Sequence, residues 1–290
     1  MTHMEIFHGL VAAGMRMRYG DKPNKAAILR VLWEKKQIID AGFVDYYIMA
    51  FWIYRHYAMS AGINVWARGA VPSSIVCYCL GLTEVDPIKY GLHSVRFVNK
   101  QLPDFQFDIE ESRFDEFMKR AEDMLQANVG YDIPAIKACL FKDVKLGQRM
   151  RKRSMIPCEY LNRKLERPVP ENIEDEMTRY ALKFPDTMHL YNAYIQQSSA
   201  FNHLIYQEEM LDILCHIFHV GSIKANDIRL AIQRHEMERI EAYKKELFAN
   251  LQNINPSNAE TSWQRLTSNP NAFLKAHAVS RVLARYYYDF

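Results

Sequence analysis

Apolar residues recur at helical spacing over most of the first sixty positions. Between Ala26 and Asp40 they follow the i, i+3, i+4 rule, which predicts an amphipathic helix that ends near Gly42. The next segment, Val44–Ser60, is apolar nearly all round, and this pattern predicts a helix at the centre of the fold. The predicted buried face of the first helix consists of Leu29, Leu32, Trp33, Lys36 and Ile39.

The central stretch changes from helical to alternating spacing. A short strand over residues 63–66 is predicted to lead into a turn at Val65–Ala70, and a compact helix follows at Pro72–Leu80. Residues Asp104–Glu110 alternate between polar and apolar types, which predicts a strand because a strand points every second side chain to the same face. One face carries Asp104, Gln106, Asp108 and Glu110, and the other carries Phe105, Phe107 and Ile109.

The rest of the chain is dominated by helical patterns. Residues 154–172 are irregular and marked by prolines, which indicates a boundary between domains or subdomains. The predicted fold class is therefore α+β and mostly helical. The remaining predicted helices are 111–127, Pro134–Arg153, Ile173–Lys183, 201–219, 225–252 and Pro270–Tyr288.

Composition adds little until charge is followed along the chain. The 290 residues are 49% hydrophobic and 24% charged with a net charge of +3, which is typical of a folded protein with one large or two ordinary domains. Residues 104–123 hold eight acids against three bases, whereas residues 142–167 hold nine bases against three acids. This order suits a metal ion together with a polyanion, and the alternative is two solvated helix faces. The residues predicted to contact this polyanion are Lys142, Lys145, Arg149, Arg151, Lys152 and Arg153.

The cysteines and the apolar runs bear on the compartment. The number and spacing of the five cysteines indicate no disulfide pattern, which favours reduced thiols and a cytoplasmic protein. No signal-peptide pattern is recognised at Met1–Gly14, and the longest apolar run, Tyr46–Tyr54, is too short to cross a bilayer. We therefore expect that this protein has no membrane partner.

The carboxylates of the predicted strand Asp104–Glu110 are the first candidate site. Carboxylates held side by side repel one another unless a cation or a hydrogen-bond donor lies among them. That arrangement suits a Mg²⁺ site for phosphoryl chemistry, with Asp108, Asp104 and Glu110 as metal ligands. The alternative is an edge strand with a solvated acidic face.

A series of short motifs runs in one order along most of the chain. Together they resemble the bacterial replicative DNA polymerases of the C family, the alpha subunit of DNA polymerase III. Single motifs of this length are weak, and their shared order carries the resemblance. The first group is Leu32-Trp33-Glu34, Gly42-Phe43, Tyr46-Tyr47, Arg68-Gly69-Ala70, Leu80-Gly81-Leu82-Thr83, Asp86-Pro87, Arg96-Phe97-Val98-Asn99 and Pro103–Asp108. The second group is Ile173-Glu174-Asp175, Phe184-Pro185, Ile205–Met210, Asn226–Arg234 and Phe273–Ala278.

The resemblance implies a palm and fingers region. Residues 1–153 would be a palm-like domain, 154–200 a connecting segment and 201–290 a fingers-like helical domain. In the family, the last two aspartates of a P-D-x-D-x-D strand hold two Mg²⁺ ions. The resemblance also implies DNA, a dNTP and other replication proteins as partners, with Mg²⁺ or Mn²⁺ as cofactor.

The resemblance implies a role for a residue only where its position matches a motif of the family. Asp108 matches the second catalytic aspartate, and Arg68 and Gly69 match the loop that holds the triphosphate. The residues that match fingers positions near the nucleotide are Arg229, Arg234, Lys275 and His277.

The departures from the family pattern concern the same site. Gln106 stands where the family has its first catalytic aspartate, and an amide offers an oxygen but no charge. Ala70 replaces the loop serine, and Val65 and Ala67 replace two loop glycines. The strand with the family's third catalytic aspartate is not recognised between Asp143 and Glu174.

Three interpretations follow. The first is a shortened, degenerate polymerase homologue that binds nucleic acid, a nucleotide or a replication partner without catalysis. The second is an active, minimal Mg²⁺-dependent nucleotidyltransferase that uses Asp108 with Asp104 or Glu110. The third is a helical interaction protein. Two smaller features each have two interpretations. Cys215 and His216, with His219, are either a possible metal pair or helix-surface and core residues. Tyr286–Tyr288 with Arg281 and Arg285 either stack single-stranded bases or pack under neighbouring helices.

Overall fold

The computed structural model describes residues 2–126, 150–153, 156–157, 173–190, 194, 204–251 and 256–289. The chain forms two compact units, one of Met1–Pro170 with Val279–Phe290 and one of Glu171–Ala278. The first unit therefore includes the end of the chain, and the predicted domains 1–153, 154–200 and 201–290 stay a prediction.

The described residues are mostly helical with two small sheets, as predicted for an α+β fold. Helix α1 (His3–Tyr19) begins at Thr2, whose side chain and that of Glu5 satisfy each other's backbone N–H groups. Helix α2 (Lys25–Asp40) begins at Asn24, whose side-chain oxygen accepts a hydrogen bond from the Ala27 N–H at 2.8 Å. No described helix combines the length and apolar character needed to cross a membrane.

The predicted span of α2 is confirmed, but its predicted buried face is wrong. Leu29 and Leu32 are 56% and 57% exposed. The residues of α2 that are buried are Ala27, Val31, Glu34 and Ile38. This face turns inward because Glu34 reaches hydrogen-bond donors on a distant part of the chain, an interaction that hydrophobic periodicity does not detect.

The predicted central helix is confirmed, with an irregular middle. It consists of α3 (Val44–Ala50), a π-helical segment (Phe51–Tyr57) and α4 (Ala58–Ala61). Tyr47, Ile48 and Ile53 are buried in the core of the first unit. A π segment widens the helical turn, so it changes which side chains face the core.

A three-stranded sheet stands at the centre of the first unit. Strand β1 (Val65–Ala67) pairs antiparallel with β2 (Phe107–Glu110), and β2 pairs parallel with β3 (Met150–Arg153). The register places Trp66 opposite Asp108, and Asp108 opposite Arg151. The sheet order is therefore β1-β2-β3.

Two predictions need correction here. Strand β2 begins at Phe107, not Asp104, because its pairing with β1 and β3 covers only Phe107–Glu110. The predicted helix Pro134–Arg153 is wrong at its end, where Met150–Arg153 is strand, and the remainder lies outside the described residues. Strand β3 carries no aspartate, so it is not the strand with the family's third catalytic aspartate.

The other elements of the first unit are short. The predicted helix Pro72–Leu80 is interrupted at Ser74, whose hydroxyl accepts a hydrogen bond from the Cys77 N–H at 3.1 Å and starts a new helix. The elements are the 3₁₀ turns Val71–Ser73, Ser94–Arg96 and Glu111–Arg113, helices α5 (Ile75–Cys79) and α6 (Phe114–Gln126), and strand β4 (Ile156–Pro157), which pairs with β5 (Tyr288–Asp289).

The second unit is helical in the residues described. Its elements are α7 (Glu174–Ala181), α8 (Pro185–Met188), α9 (Gln207–Asp212) with the π segment Ile213–Ile217, α10 (Ser222–Gln233), α11 (Met237–Ala249) and α12 (Pro256–Thr267). Helix α13 (Lys275–Ala284) begins in this unit and ends in the first.

Several predicted helices of this half are shorter or divided. The single helix predicted over 225–252 is two helices, because His235 adopts a left-handed φ of 54° between them. The helix predicted from residue 201 begins at Gln207, and the one predicted over Pro270–Tyr288 is confined to α13. Helix α12 was not predicted, although Ala259, Trp263 and Leu266 form a buried stripe at helical spacing.

Glu34 joins α2 to the segments around it. Its buried carboxylate accepts hydrogen bonds from the hydroxyls of Ser74 (2.7 Å) and Ser94 (2.5 Å) and from the Arg30 guanidinium (3.1 Å). It also accepts from the N–H groups of Ile75 and Val76, at the start of α5. A buried charge with this many donors is well satisfied, and removing the charge leaves the donors without their acceptor.

We expect Glu34→Gln to lower the free energy of unfolding by about 3 kcal/mol, because an amide returns fewer acceptor sites and no charge to these donors. Urea unfolding followed by circular dichroism measures the change. The matched control is Asp40→Asn on the same helix, whose exposed pair with Lys36 contributes little. Equal effects of the two substitutions would contradict a special role for Glu34.

Candidate functional site

The candidate site lies on the face of the sheet that carries Trp66 and Asp108. These residues are cross-strand partners on β1 and β2, so their side chains emerge on the same face. Just beyond β1, the Arg68 N–H donates a hydrogen bond to the Gln106 carbonyl oxygen at 2.9 Å. This bond continues the pairing past the strand end and brings the Arg68 side chain next to β2.

Asp108 is buried among the protein's own cations. Its side chain is 2% exposed, with Oδ1 lying 3.5 Å from Arg68 Nε and Oδ2 lying 3.7 Å from Arg281 Nη1. An ionised carboxylate is costly to bury unless opposite charge accompanies it. Two guanidiniums therefore accompany this one carboxylate.

Gln106 takes part in the same network as a neutral bridge. Its side-chain oxygen accepts a hydrogen bond from Arg68 Nη1 at 3.0 Å, and its Nε2 donates to Asp104 Oδ2 at 2.7 Å. Gly69, with φ of 64°, makes room for this amide, because a Cβ there would lie 2.8 Å from the Gln106 oxygen. Gly69 therefore allows the loop to contact the Gln106 side chain.

The Glu110 carboxylate forms its hydrogen bonds with residues outside this network. Its Oε2 accepts hydrogen bonds from the Asn64 N–H (3.2 Å) and side-chain amide (3.0 Å), and its Oε1 accepts from the Ser112 hydroxyl at 2.5 Å. No group of three or more His, Cys, Asp or Glu residues within the described parts of the chain could hold a metal ion. The predicted role of Asp108, Asp104 and Glu110 as metal ligands stays a prediction.

The donor chemistry fits Mg²⁺ poorly. This ion prefers oxygen ligands with negative charge, whereas Asp108 faces two guanidiniums and Gln106 brings no charge. Cys215 and His216 also lack a third ligand among the described residues, so their proposed metal pair gains no support.

The end of the chain supplies residues that sequence reasoning did not assign to this site. Trp66 Nε1 donates hydrogen bonds to the Ser280 carbonyl oxygen at 3.0 Å and its hydroxyl at 2.9 Å. The Ser280 hydroxyl in turn donates to the Ala67 carbonyl oxygen. The sequence did contain one signal: Arg281 is a charged residue inside an apolar helix, so its side chain needs a partner. Its position in the sequence does not show which residue that partner is.

The predicted nucleotide residues of the second unit have different surroundings. Arg229 is 1% exposed and donates hydrogen bonds to the side chains of Asn226 (3.1 Å) and Gln233 (2.7 Å). Its Nη1 also lies 3.4 Å from the side-chain oxygen of Gln207, so Arg229 connects α10 to α9, and its contact with a nucleotide stays a prediction. Arg234 is exposed and lies 3.8 Å from Glu236.

Lys275 and His277 lie in the first turn of α13. The N–H groups of Lys275 and Ala276 donate to the carboxylate of Glu208 at 2.8 and 3.2 Å, so a protein carboxylate already occupies this helix start. The His277 ring contacts Phe273, with ring centroids 5.8 Å apart. Nucleotide binding by either residue stays a prediction.

The basic residues predicted to contact DNA divide into two sets. Lys142, Lys145 and Arg149 lie outside the described residues. The segment Arg151–Arg153 belongs to β3, next to the strand that carries Asp108. Their contact with DNA stays a prediction.

We expect Asp108→Asn to lower the free energy of unfolding by about 3 kcal/mol, because two buried guanidiniums lose their counter-charge. Arg281→Met in the same chain should recover part of this loss, since it removes one of the two cations. A double-mutant cycle by urea unfolding measures the coupling. Additive effects would show that the carboxylate and Arg281 do not depend on each other.

Comparison with known proteins gives this arrangement its context. Residues 5–198 match the family described as "Bacterial DNA polymerase III alpha NTPase domain". The error-prone DNA polymerase of Anaeromyxobacter sp. (strain K) is 32% identical over 122 residues, covering 41% of this chain and 11% of that protein. The DNA polymerase III subunit alpha of Mycobacterium leprae (strain TN) is 35% identical over 117 residues, covering 39% and 10%.

The error-prone DNA polymerase of Cutibacterium acnes (strain DSM 16379 / KPA171202) is 38% identical over 121 residues, which cover 41% of this chain and 10% of that protein. The similarity thus spans about a tenth of the length of these relatives. Because the family match covers more than half of the chain, the protein belongs to the bacterial DNA polymerase III alpha family.

Proposed function

We propose that this protein has a DNA-replication-related role and acts by binding nucleic acid, a nucleotide or a replication partner, without nucleotidyl transfer. The observation that carries the proposal is the burial of Asp108 between Arg68 and Arg281, beside an amide at the position of a catalytic aspartate. Family membership supports the replication context.

The electrostatics of the cluster argue against metal-dependent catalysis. Two-metal phosphoryl transfer needs carboxylates that bridge the ions and offset their charge. Here the Asp108 carboxylate is already offset by two guanidiniums. A divalent cation entering the cluster would be repelled by both arginines, and it would have to displace contacts that now satisfy a buried charge.

The same cluster keeps the fold of a palm. In this proposal the sheet of the first unit corresponds to the family's palm, and the helices of the second unit correspond to its fingers. Guanidiniums at the positions of the metal ions preserve the buried carboxylate and hence the strand pairing around it. The protein would retain surfaces for DNA, a dNTP or other replication proteins while the reaction is lost.

One observation favours a second candidate, a minimal Mg²⁺- or Mn²⁺-dependent DNA polymerase. Asp104 is connected to the Asp108 cluster through Gln106 and Arg68, so two carboxylates belong to one network. A movement of Arg281 away from Asp108 would let a metal ion meet that network. Glu110 supports this candidate less, because both of its carboxylate oxygens accept hydrogen bonds elsewhere.

Primer extension separates the two candidates. We expect no extension of a primed DNA template by the parent protein in Mg²⁺ or Mn²⁺, and none by Gln106→Asp, because Arg281 still offsets the charge at Asp108. Extension by Gln106→Asp combined with Arg281→Ala would show that the charge balance alone suppresses catalysis. The control Asp175→Asn alters an exposed carboxylate paired with Arg179 outside this network.

Extension by the parent protein that Asp108→Ala abolishes would overturn the non-catalytic proposal in favour of the second candidate. Mn²⁺ titration with the same variants gives an independent reading, since a working site binds the ion even when turnover is slow.

Nucleic-acid binding has its own test. We expect affinity for primer–template DNA at low salt that falls steeply as salt rises, because lysines and arginines release counterions from the phosphates. Replacing Lys142, Lys145 and Arg149 by Gln should reduce the slope of log K against log salt by about 2 to 3. The charge-matched control replaces Arg16, Lys22 and Lys25 by Gln, and fluorescence anisotropy measures both proteins.

An absence of affinity at low salt would contradict DNA binding and favour a partner-binding protein. An equal loss of slope in both triple variants would show that the attraction comes from overall charge and not from the basic segment.

A further inference from the structure

A cavity of about 310 Å³ opens in the first unit, and no charged residue of the Asp108 cluster lines it. It is bordered by residues 54–55 and 58–59 of the central helix, residues 62–67, the loop 81–84 and the pair Tyr287 and Tyr288. Arg68, Gln106 and Asp108 do not line it. Its size lies at the lower end of small-ligand pockets, so a compact molecule is the expected occupant.

One side of the cavity is aromatic. The Trp66 ring lies 4.8 Å from the Tyr287 ring and 5.7 Å from the Tyr288 ring, measured between centroids. The indole N–H of Trp66 is held by Ser280, and Tyr54 stacks on Phe107 with centroids 3.9 Å apart. These contacts fix the rings before a ligand arrives, which lowers the entropy that binding has to overcome.

The other side of the cavity carries charge. Glu84 is held by a bidentate pair with Arg18, at 2.6 and 3.1 Å. Arg55 Nη1 lies 4.0 Å from Glu84, longer than a hydrogen bond, and its side chain is 31% exposed. Gly81 lets Arg55 lie against the loop, because a Cβ there would be 2.8 Å from Arg55 Nε. Arg55 therefore keeps donors for an anion.

The two tyrosines of the cavity are neutral phenols. An ordinary phenol is already protonated near neutral pH, and burial raises the pKa of Tyr287 and of Tyr288 further, to about 12. A protonated phenol offers an O–H donor as well as an apolar ring. The cavity thus combines π-faces, hydroxyl donors, a carboxylate acceptor and one guanidinium.

We propose that this cavity binds a single unstacked nucleotide, with its base against the Trp66 and Tyr288 wall and its phosphate on Arg55. Aromatic faces suit any base, and guanidinium groups pair with phosphate oxygens. A purely apolar ligand would make no polar contact with Arg55 or Glu84, and an inorganic anion would make no contact with the aromatic wall. The proposal does not depend on the non-catalytic assignment, because the two sites share no charged residue.

Calorimetry with deoxyadenosine monophosphate tests the site in the full chain. We expect Arg55→Gln to weaken this nucleotide about tenfold while changing the affinity for deoxyadenosine less than about twofold, because only the nucleotide has the phosphate. Tyr288→Leu should weaken both ligands about tenfold, since each loses a stacking face. The control Arg16→Gln removes an exposed guanidinium outside the cavity and should leave both affinities unchanged.

Thermal melting checks that each variant folds, and Arg55→Gln keeps the test decisive if Tyr288→Leu does not fold. The proposal is overturned if the parent shows no binding at millimolar nucleotide, if inorganic phosphate binds as tightly, or if neither substitution weakens binding. A trideoxyadenylate that binds more tightly than the mononucleotide supports the end of a strand as the source, and equal affinities support a free nucleotide.

Discussion

A carboxylate can be buried in a protein only when opposite charge or several donors accompany it. Asp108 meets this constraint with two guanidiniums, one from the loop after β1 and one from near the end of the chain. Arg281 lies on the last helix, so satisfying Asp108 requires that the chain end return to the first unit. Sheet register, loop conformation and the position of the last helix are linked through this one group.

Glu34 obeys the same constraint in a different way. Its carboxylate is satisfied by hydroxyls, backbone N–H groups and one arginine around the start of α5. This arrangement rotates α2 about its axis and leaves two leucines at the surface. The two buried carboxylates thus organise different parts of the first unit, one by hydrogen bonding and the other by charge pairing.

The proposed loss of a metal site is compatible with membership of a polymerase family on physical grounds. Mg²⁺ and guanidinium both neutralise carboxylates, so arginines could keep a carboxylate buried where acidic ligands are replaced. They cannot activate a hydroxyl or steady a leaving pyrophosphate as a metal ion does. The proposed nucleotide cavity uses none of Arg68, Asp108 and Arg281, so binding there would not depend on the reaction.

The sequence by itself determined the helical spans at Ala26–Asp40, Val44–Ser60 and 111–127, the small sheet and the family, because periodicity and motif order are local properties of the chain. It also singled out Asp108 and Gln106 as candidate site residues. Tertiary structure alone decided the buried face of α2, the strand β3 and the pairing of Asp108 with Arg281. Each of these depends on partners tens to hundreds of residues away, and hydrophobic spacing records burial without recording which distant charge or strand will satisfy it.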